Sequence, residues 1–173
     1  PAQKVSGSIV KGVKKRTIGI GPRKYKTFKV ECPTTYLSTI TFQNETVVRL
    51  TLSFDVIAHQ KNHIELYGDK GSMIVPDPNM FGGSVHVCKK LGYKWKEYKT
   101  NKMLLGKINI RSQSSRANES STNANYRGIG LAEMAYSIEN KKVNKCNGEL
   151  SLHVLDIIQS TMKACKTGIV QSI

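Results

Sequence analysis

The chain has 173 residues, a formal net charge of +15, 39% hydrophobic and 23% charged residues, and four cysteines. That length suits one globular domain, which buries roughly 68–70% of the surface its unfolded chain exposes and needs neither disulfide nor metal to hold together. The apolar runs are too short to span a bilayer, the cysteines form no CxxC, and no signal-type apolar stretch follows Pro1, so a cytoplasmic protein with reduced thiols is expected.

In chain order, Val5 to Val10 reads as a short strand. Gly12 to Lys26 is basic and glycine-rich. Within it, Gly19-Ile20-Gly21-Pro22 begins like a dinucleotide fingerprint, but Lys24 stands where the third glycine belongs and no helix pattern follows. Phe28 to Glu31 resumes strand character, and Pro33 closes it. Tyr36, Ile40 and Phe42 mark one face of the next strand, which turns at Gln43-Asn44-Glu45. The clearest alternation comes after: Val48, Leu50, Leu52, Phe54 and Val56 on one face, Val47, Arg49, Thr51, Ser53 and Asp55 on the other. Such a pattern predicts a strand in a sheet covered on one side.

Ile64 to Val75 reads as a β-hairpin with a glycine at each corner, Gly68 and Gly71, where positive φ is expected. It runs into a stiff arm, Pro76-Asp77-Pro78-Asn79, followed by the pair Gly82-Gly83. Val85 and Val87 begin another strand. Tyr93 to Tyr98 gives one more, whose interleaved lysines suit an edge position that must not pair with other chains. From Asn101 to Asn125 the pattern dissolves into a long polar loop.

Two helices follow. Ile129, Leu131, Met134, Ala135 and Ile138 form the stripe of the first, which stops near Asn140. The second is capped by Asn147, carries Leu150, Val154, Leu155, Ile158, Met162 and Cys165 as its buried stripe, and ends at Gly168. Ile169-Val170 then reads as a last short strand. Strands first and helices last define an α+β class: a largely antiparallel, open-faced β-sheet with two helices packed on one face, in a single domain over residues 1-173.

Chemistry-bearing patterns are sparse. The net charge raises nucleic-acid binding, but the basic residues are spread over several turns and no helix-turn-helix, zinc-finger or RNP-type signature accompanies them, so nucleic acid is not the expected partner. His59 and His63 have a zinc-like spacing without a third ligand in pattern, so no metal site is expected. His153 reads as a hydrogen-bonded packing histidine. Gly128-Ile129-Gly130 opens a helix, yet Glu133 occupies the fingerprint's next glycine position, and no G-x-S-x-G elbow is present.

The ordered blocks Ser53-Phe54-Asp55, His59, Ile64 to Gly68 with Gly71, Val75 to Asn79, Phe81-Gly82-Gly83, Arg127 to Met134 and Gly148 to Leu155 resemble the C-terminal domain of the glucose-fructose oxidoreductase / inositol dehydrogenase (Gfo/Idh/MocA) family. The resemblance covers nearly the whole chain, weakly before Tyr36 and hardly across the polar loop. It implies a two-domain oxidoreductase acting on a sugar, polyol or related compound. NAD or NADP would be bound mainly by an N-terminal Rossmann domain that these residues do not contain. It further implies that this domain supplies substrate contacts and a homodimer or homotetramer interface through its sheet, and that the chain alone is inactive. No catalytic residue carries over, because the family's Glu-Lys-Pro segment and proton-transfer groups lie upstream of Pro1, where the chain reads as a fragment. His59, Asn79 and Arg127 are the expected substrate contacts. The other reading is a stand-alone basic binding or interaction module without catalysis. Two departures stand out: the family's Asn-Gly turn is Asn44-Glu45 here, and its helical Ala-Asp step is Ala132-Glu133.

Overall fold

A computed structural model describes residues 1–59, 63–76, 81–90, 93–109 and 124–173. In chain order the elements are β1 (Ala2–Val10), β2 (Lys15–Thr17), β3 (Thr27–Lys29), β4 (Thr35–Phe42), β5 (Val47–Ser53), β6 (His63–Gly68), β7 (Gly71–Pro76), β8 (Ser84–Lys89), β9 (Lys96–Lys99), α1 (Ile129–Glu139), α2 (Gly148–Thr167) and β10 (Gln171–Ser172). All described strand pairs are antiparallel, which bears out the α+β class. The strands divide into a sheet β10-β1-β4-β5, a ribbon β2-β3 and a sheet β6-β7-β8-β9. The chain forms two compact units, Pro1–Ala58 with Val143–Ile173, and His59–Lys142.

In the first unit α2 lies on β1, β4 and β10. Its core is small: Ala2, Val5, Ile40 and Ala164 are buried, with Phe42, Leu50, Ile157 and Ile173 packed around them. Burying a valine such as Val5 contributes about 1.5–3 kcal/mol. The face that α2 turns to the sheet differs from the expected stripe except at Cys165, which is buried. Thr161 and Ala164 are buried with it and His153 and Ile157 half-buried, whereas Leu150, Val154, Leu155, Ile158 and Met162 are about half exposed. The reason is the close approach of helix to sheet. A Cβ on Gly7 of β1 would lie 2.5 Å from Cys165 Sγ and 2.5 Å from the Leu37 carbonyl oxygen, so only small side chains fit along this seam.

The ends of α2 form as their sequence directs. Asn147 Oδ1 accepts from the Leu150 N–H at 2.8 Å, and Gly168 closes the helix at φ 71°. His153 acts as the expected packing histidine, its Nε2 accepting from the Ala2 N–H at 2.9 Å. The last strand falls two residues later than the sequence suggests, at Gln171–Ser172.

β5 ends at Ser53, three residues short of the predicted alternation, and Phe54 is largely exposed. What stops it is Asp55. Its carboxylate accepts from the Thr34 hydroxyl at 2.5 Å, the Thr35 hydroxyl at 3.0 Å and the Arg16 guanidinium at 3.0 Å, while its own N–H donates to Ser53 Oγ at 3.1 Å. Arg16 also donates to the Phe54 carbonyl. These bonds tie the ribbon to the ends of β4 and β5.

In the second unit the hairpin forms, but of its two corner glycines only Gly71 takes the expected positive φ. Gly68 pairs with Gly71, and Gly71 sits at φ 144° with no room for a Cβ, which would lie 2.2 Å from the Cys88 carbonyl oxygen. β9 is the edge strand that its lysines predict. No helix among the described residues is long and apolar enough to cross a membrane.

Candidate functional site

The second unit carries a cleft of about 530 Å³ lined by Asn109, Asn125, Tyr126, Arg127, Gly128, Ile129 and Ala132. That size lies within the usual range for small-molecule sites. Its wall is built by a side chain imitating a strand: Asn109 Nδ2 donates to the Asn125 carbonyl at 2.8 Å, and Asn109 Oδ1 accepts from the Asn125 N–H at 2.8 Å. Tyr126 is fixed by its hydroxyl, which donates to the Lys107 carbonyl at 2.9 Å, and by an edge-on contact with Phe81 at 5.8 Å between ring centroids. The Asn125 side chain then accepts from the Arg127 N–H at 3.3 Å and so sets the entry into α1.

α1 begins at Ile129, with Gly128 at the N-cap and no side-chain cap, and without an acidic residue in its first turn. The positive end of the helix, beside a cleft that Arg127 lines, thus meets no acidic group of its own first turn, an environment that favours hydroxyl-rich or anionic groups. A smaller cleft of about 190 Å³ adjoins this wall, lined among others by Phe81, Gly82, Gly83, Thr100 and Ala124. There the Thr100 hydroxyl donates to the Gly83 carbonyl at 2.7 Å, and Phe81 bridges to Ala124.

Of the three expected substrate contacts, Arg127 is exposed and lines the larger cleft. His59 is exposed and is not among the described residues that line it. Asn79 lies outside the described residues. Asn109 and Asn125 carry no signal of their own in the sequence, because both fall in the polar loop, where an Asn reads as turn chemistry; only their long-range pairing marks them.

The glycine pair Gly19 and Gly21 lies at the tip of the β2–β3 hairpin, closed by Ile18 N–H to Lys26 O at 2.9 Å and Tyr25 N–H to Ile18 O at 2.8 Å. A dinucleotide fingerprint needs a strand-to-helix turn, so this loop does not fit a nicotinamide dinucleotide. Among the described residues no group of three or more His, Cys, Asp or Glu has the arrangement of a metal site.

Antiparallel open sheets with two helices are the fold that this chain shares with part of several solved oxidoreductases. The chain is similar to a crystal structure of an oxidoreductase from Agrobacterium radiobacter in complex with NAD+, L-tartaric acid and magnesium, with TM-score 0.67 and 9% identity over 99% of this chain and 43% of that one. It is similar to an aldose-aldose oxidoreductase from Caulobacter crescentus complexed with glycerol, with TM-score 0.62 and 13% identity over 99% and 41%. It is also similar to the transcriptional regulator Gal80p from Kluyveromyces lactis, with TM-score 0.63 and 14% identity over 99% and 40%. The chain thus spans less than half the length of each. Neither a protein-family model nor a curated protein matches the sequence.

Proposed function

We propose that these residues form the substrate-binding and subunit-contact domain of an NAD(P)-dependent oxidoreductase acting on a sugar, polyol or related hydroxyl-rich compound. The observation that carries this is the end-to-end likeness of the fold, 99% of the chain, to two oxidoreductases, one solved with NAD+ and one with glycerol. The nicotinamide would be held by a Rossmann domain, since the glycine loop of this chain does not fit it. The role left to these residues is orientation. Arg127 and the first turn of α1 hold substrate hydroxyls, and His59 and Asn79 add contacts once the whole enzyme is assembled as a cytoplasmic homodimer or homotetramer. Hydride transfer requires the cofactor held against the substrate, so the chain alone has no turnover.

Titrating the 173-residue chain with NADH and NADPH, followed by nucleotide fluorescence, tests the division of labour. No saturable binding at micromolar concentration is expected, and a micromolar isotherm would refute it.

A second reading is a binding module without catalysis. It is favoured by the likeness to a transcriptional regulator of the same fold.

A further inference from the structure

From Lys11 to Lys29 the chain carries eight lysines and arginines and no acidic residue. This charge looks diffuse in sequence, but the fold gathers it on the β2–β3 ribbon, which pairs with no other strand among the described residues. Arg16 is engaged by Asp55, which leaves seven cations on the ribbon and its flanks. Lys15 stands directly opposite Lys29, and Thr17 opposite Thr27. Val30 N–H donates to Lys14 O and Ile18 N–H to Lys26 O, so hydrogen-bonded pairs flank these positions. In an antiparallel ladder Lys15 and Lys29 therefore form the narrow kind of pair, with Cα atoms about 4.5 Å apart. Like charges so placed repel.

Lysines on a ribbon edge protect it from pairing with other chains, a role that calls for no exposed apolar surface. Here Ile20, Tyr25 and Phe28 are exposed as well, and Lys24 lies 4.8 Å above the Tyr25 ring. We propose that the β2–β3 ribbon binds single-stranded nucleic acid, with Lys15 and Lys29 on one face and the cations of the tip and flanks meeting phosphates, and the exposed Tyr25 at the tip offering a ring face to a base. The cations run from the flank (Lys11, Lys14) through the strands (Lys15, Lys29) to the tip (Arg23, Lys24, Lys26) and so match a repeating phosphate, and the hydroxyls of Thr17 and Thr27 share the face of Lys15 and Lys29 as further donors. The apolar tip is too small to anchor the chain in a bilayer. Base stacking on the exposed Tyr25 ring is what separates this partner from an acidic protein surface.

The test is fluorescence anisotropy of a labelled oligothymidylate titrated with the 173-residue chain over a range of salt. Reversing Lys15→Glu and Lys29→Glu together should weaken binding more than tenfold and flatten the logarithmic salt slope by about 0.7 for each phosphate no longer neutralised. Reversing Lys89→Glu and Lys90→Glu, an equal change of net charge, should cost far less. Tyr25→Ala, which leaves the charge untouched, should weaken binding by about fivefold or more. Equal losses from the two charge reversals, no loss from Tyr25→Ala, or competition by polyglutamate or anionic vesicles as effective as by unlabelled oligonucleotide would each overturn the proposal.

Discussion

Arg16 and Asp55, 39 residues apart in sequence, form an ion pair at 3.0 Å that fastens the β2–β3 ribbon to the end of β5. The hydrogen bond from Thr34 is the largest influence on Asp55. With those from Thr35 and Arg16 and the charge of Arg16, it holds the carboxyl below its ordinary value against the opposing effect of burial. A carboxylate with a lowered native pKa adds stability that is fully present above its unfolded value, about 3.9, and is lost as pH falls through the native value. Asp55→Asn should therefore lower the urea midpoint at neutral pH, and the gap from the parent protein should shrink as the pH falls below the unfolded value and through the lowered native one. A gap that persists or widens in acid would show that the carboxylate charge is not what matters.

The seam between α2 and β1 gives a second expectation. Gly7→Ala places a methyl group 2.5 Å from a backbone oxygen, Leu37 O, as well as 2.5 Å from Cys165 Sγ. Stability should fall by about 1–3 kcal/mol in chemical denaturation. Adding Cys165→Ala should restore only part of it, because the backbone oxygen remains. Full restoration would mean that the sulfur alone sets the distance.

Glu45 sits at φ 63° in the turn between β4 and β5, where Glu45 N–H donates to Phe42 O at 3.0 Å and Phe42 N–H to Thr46 O at 2.9 Å. This is the bulged three-residue hairpin whose left-handed position suits glycine. Glu45→Gly should raise stability by about 1 kcal/mol, read as a higher thermal midpoint. A lower midpoint would indicate that the glutamate side chain contributes more than the strain removes.

Asn147→Ala should cost about 1 kcal/mol, since the Leu150 N–H loses its acceptor. Asn147→Asp should keep that bond and leave the denaturation midpoint within a few tenths of a kcal/mol. A destabilised Asp variant would place the role of Asn147 elsewhere.

Local features are legible in the sequence and long-range ones are not. The Gly68–Gly71 hairpin, the lysine-bearing edge strand β9, the Asn147 and Gly168 caps and the packing role of His153 each follow from a few neighbouring residues. The buried face of α2 departs from its apolar stripe because periodicity reports which residues are large and apolar, whereas the seam is decided by a glycine on β1. β2 has no sequence signal because Lys15-Arg16-Thr17 carries no apolar alternation, and its anchor, Asp55, lies far along the chain. The cleft at α1 depends on the pairing of Asn109 with Asn125 across a polar stretch that has no periodic signal at all.

The most direct measurement is an amide NMR titration of the chain with a panel of polyols, aldoses and hydroxy acids, repeated on Arg127→Ala. Saturable shifts centred on Asn109, Asn125, Arg127 and Gly128, the residues that line the cleft, are expected for at least one class of hydroxyl-rich ligand. Affinity should drop about tenfold or more when the guanidinium is removed. Shifts confined to other surfaces, or binding indifferent to Arg127→Ala, would contradict a substrate site at the start of α1.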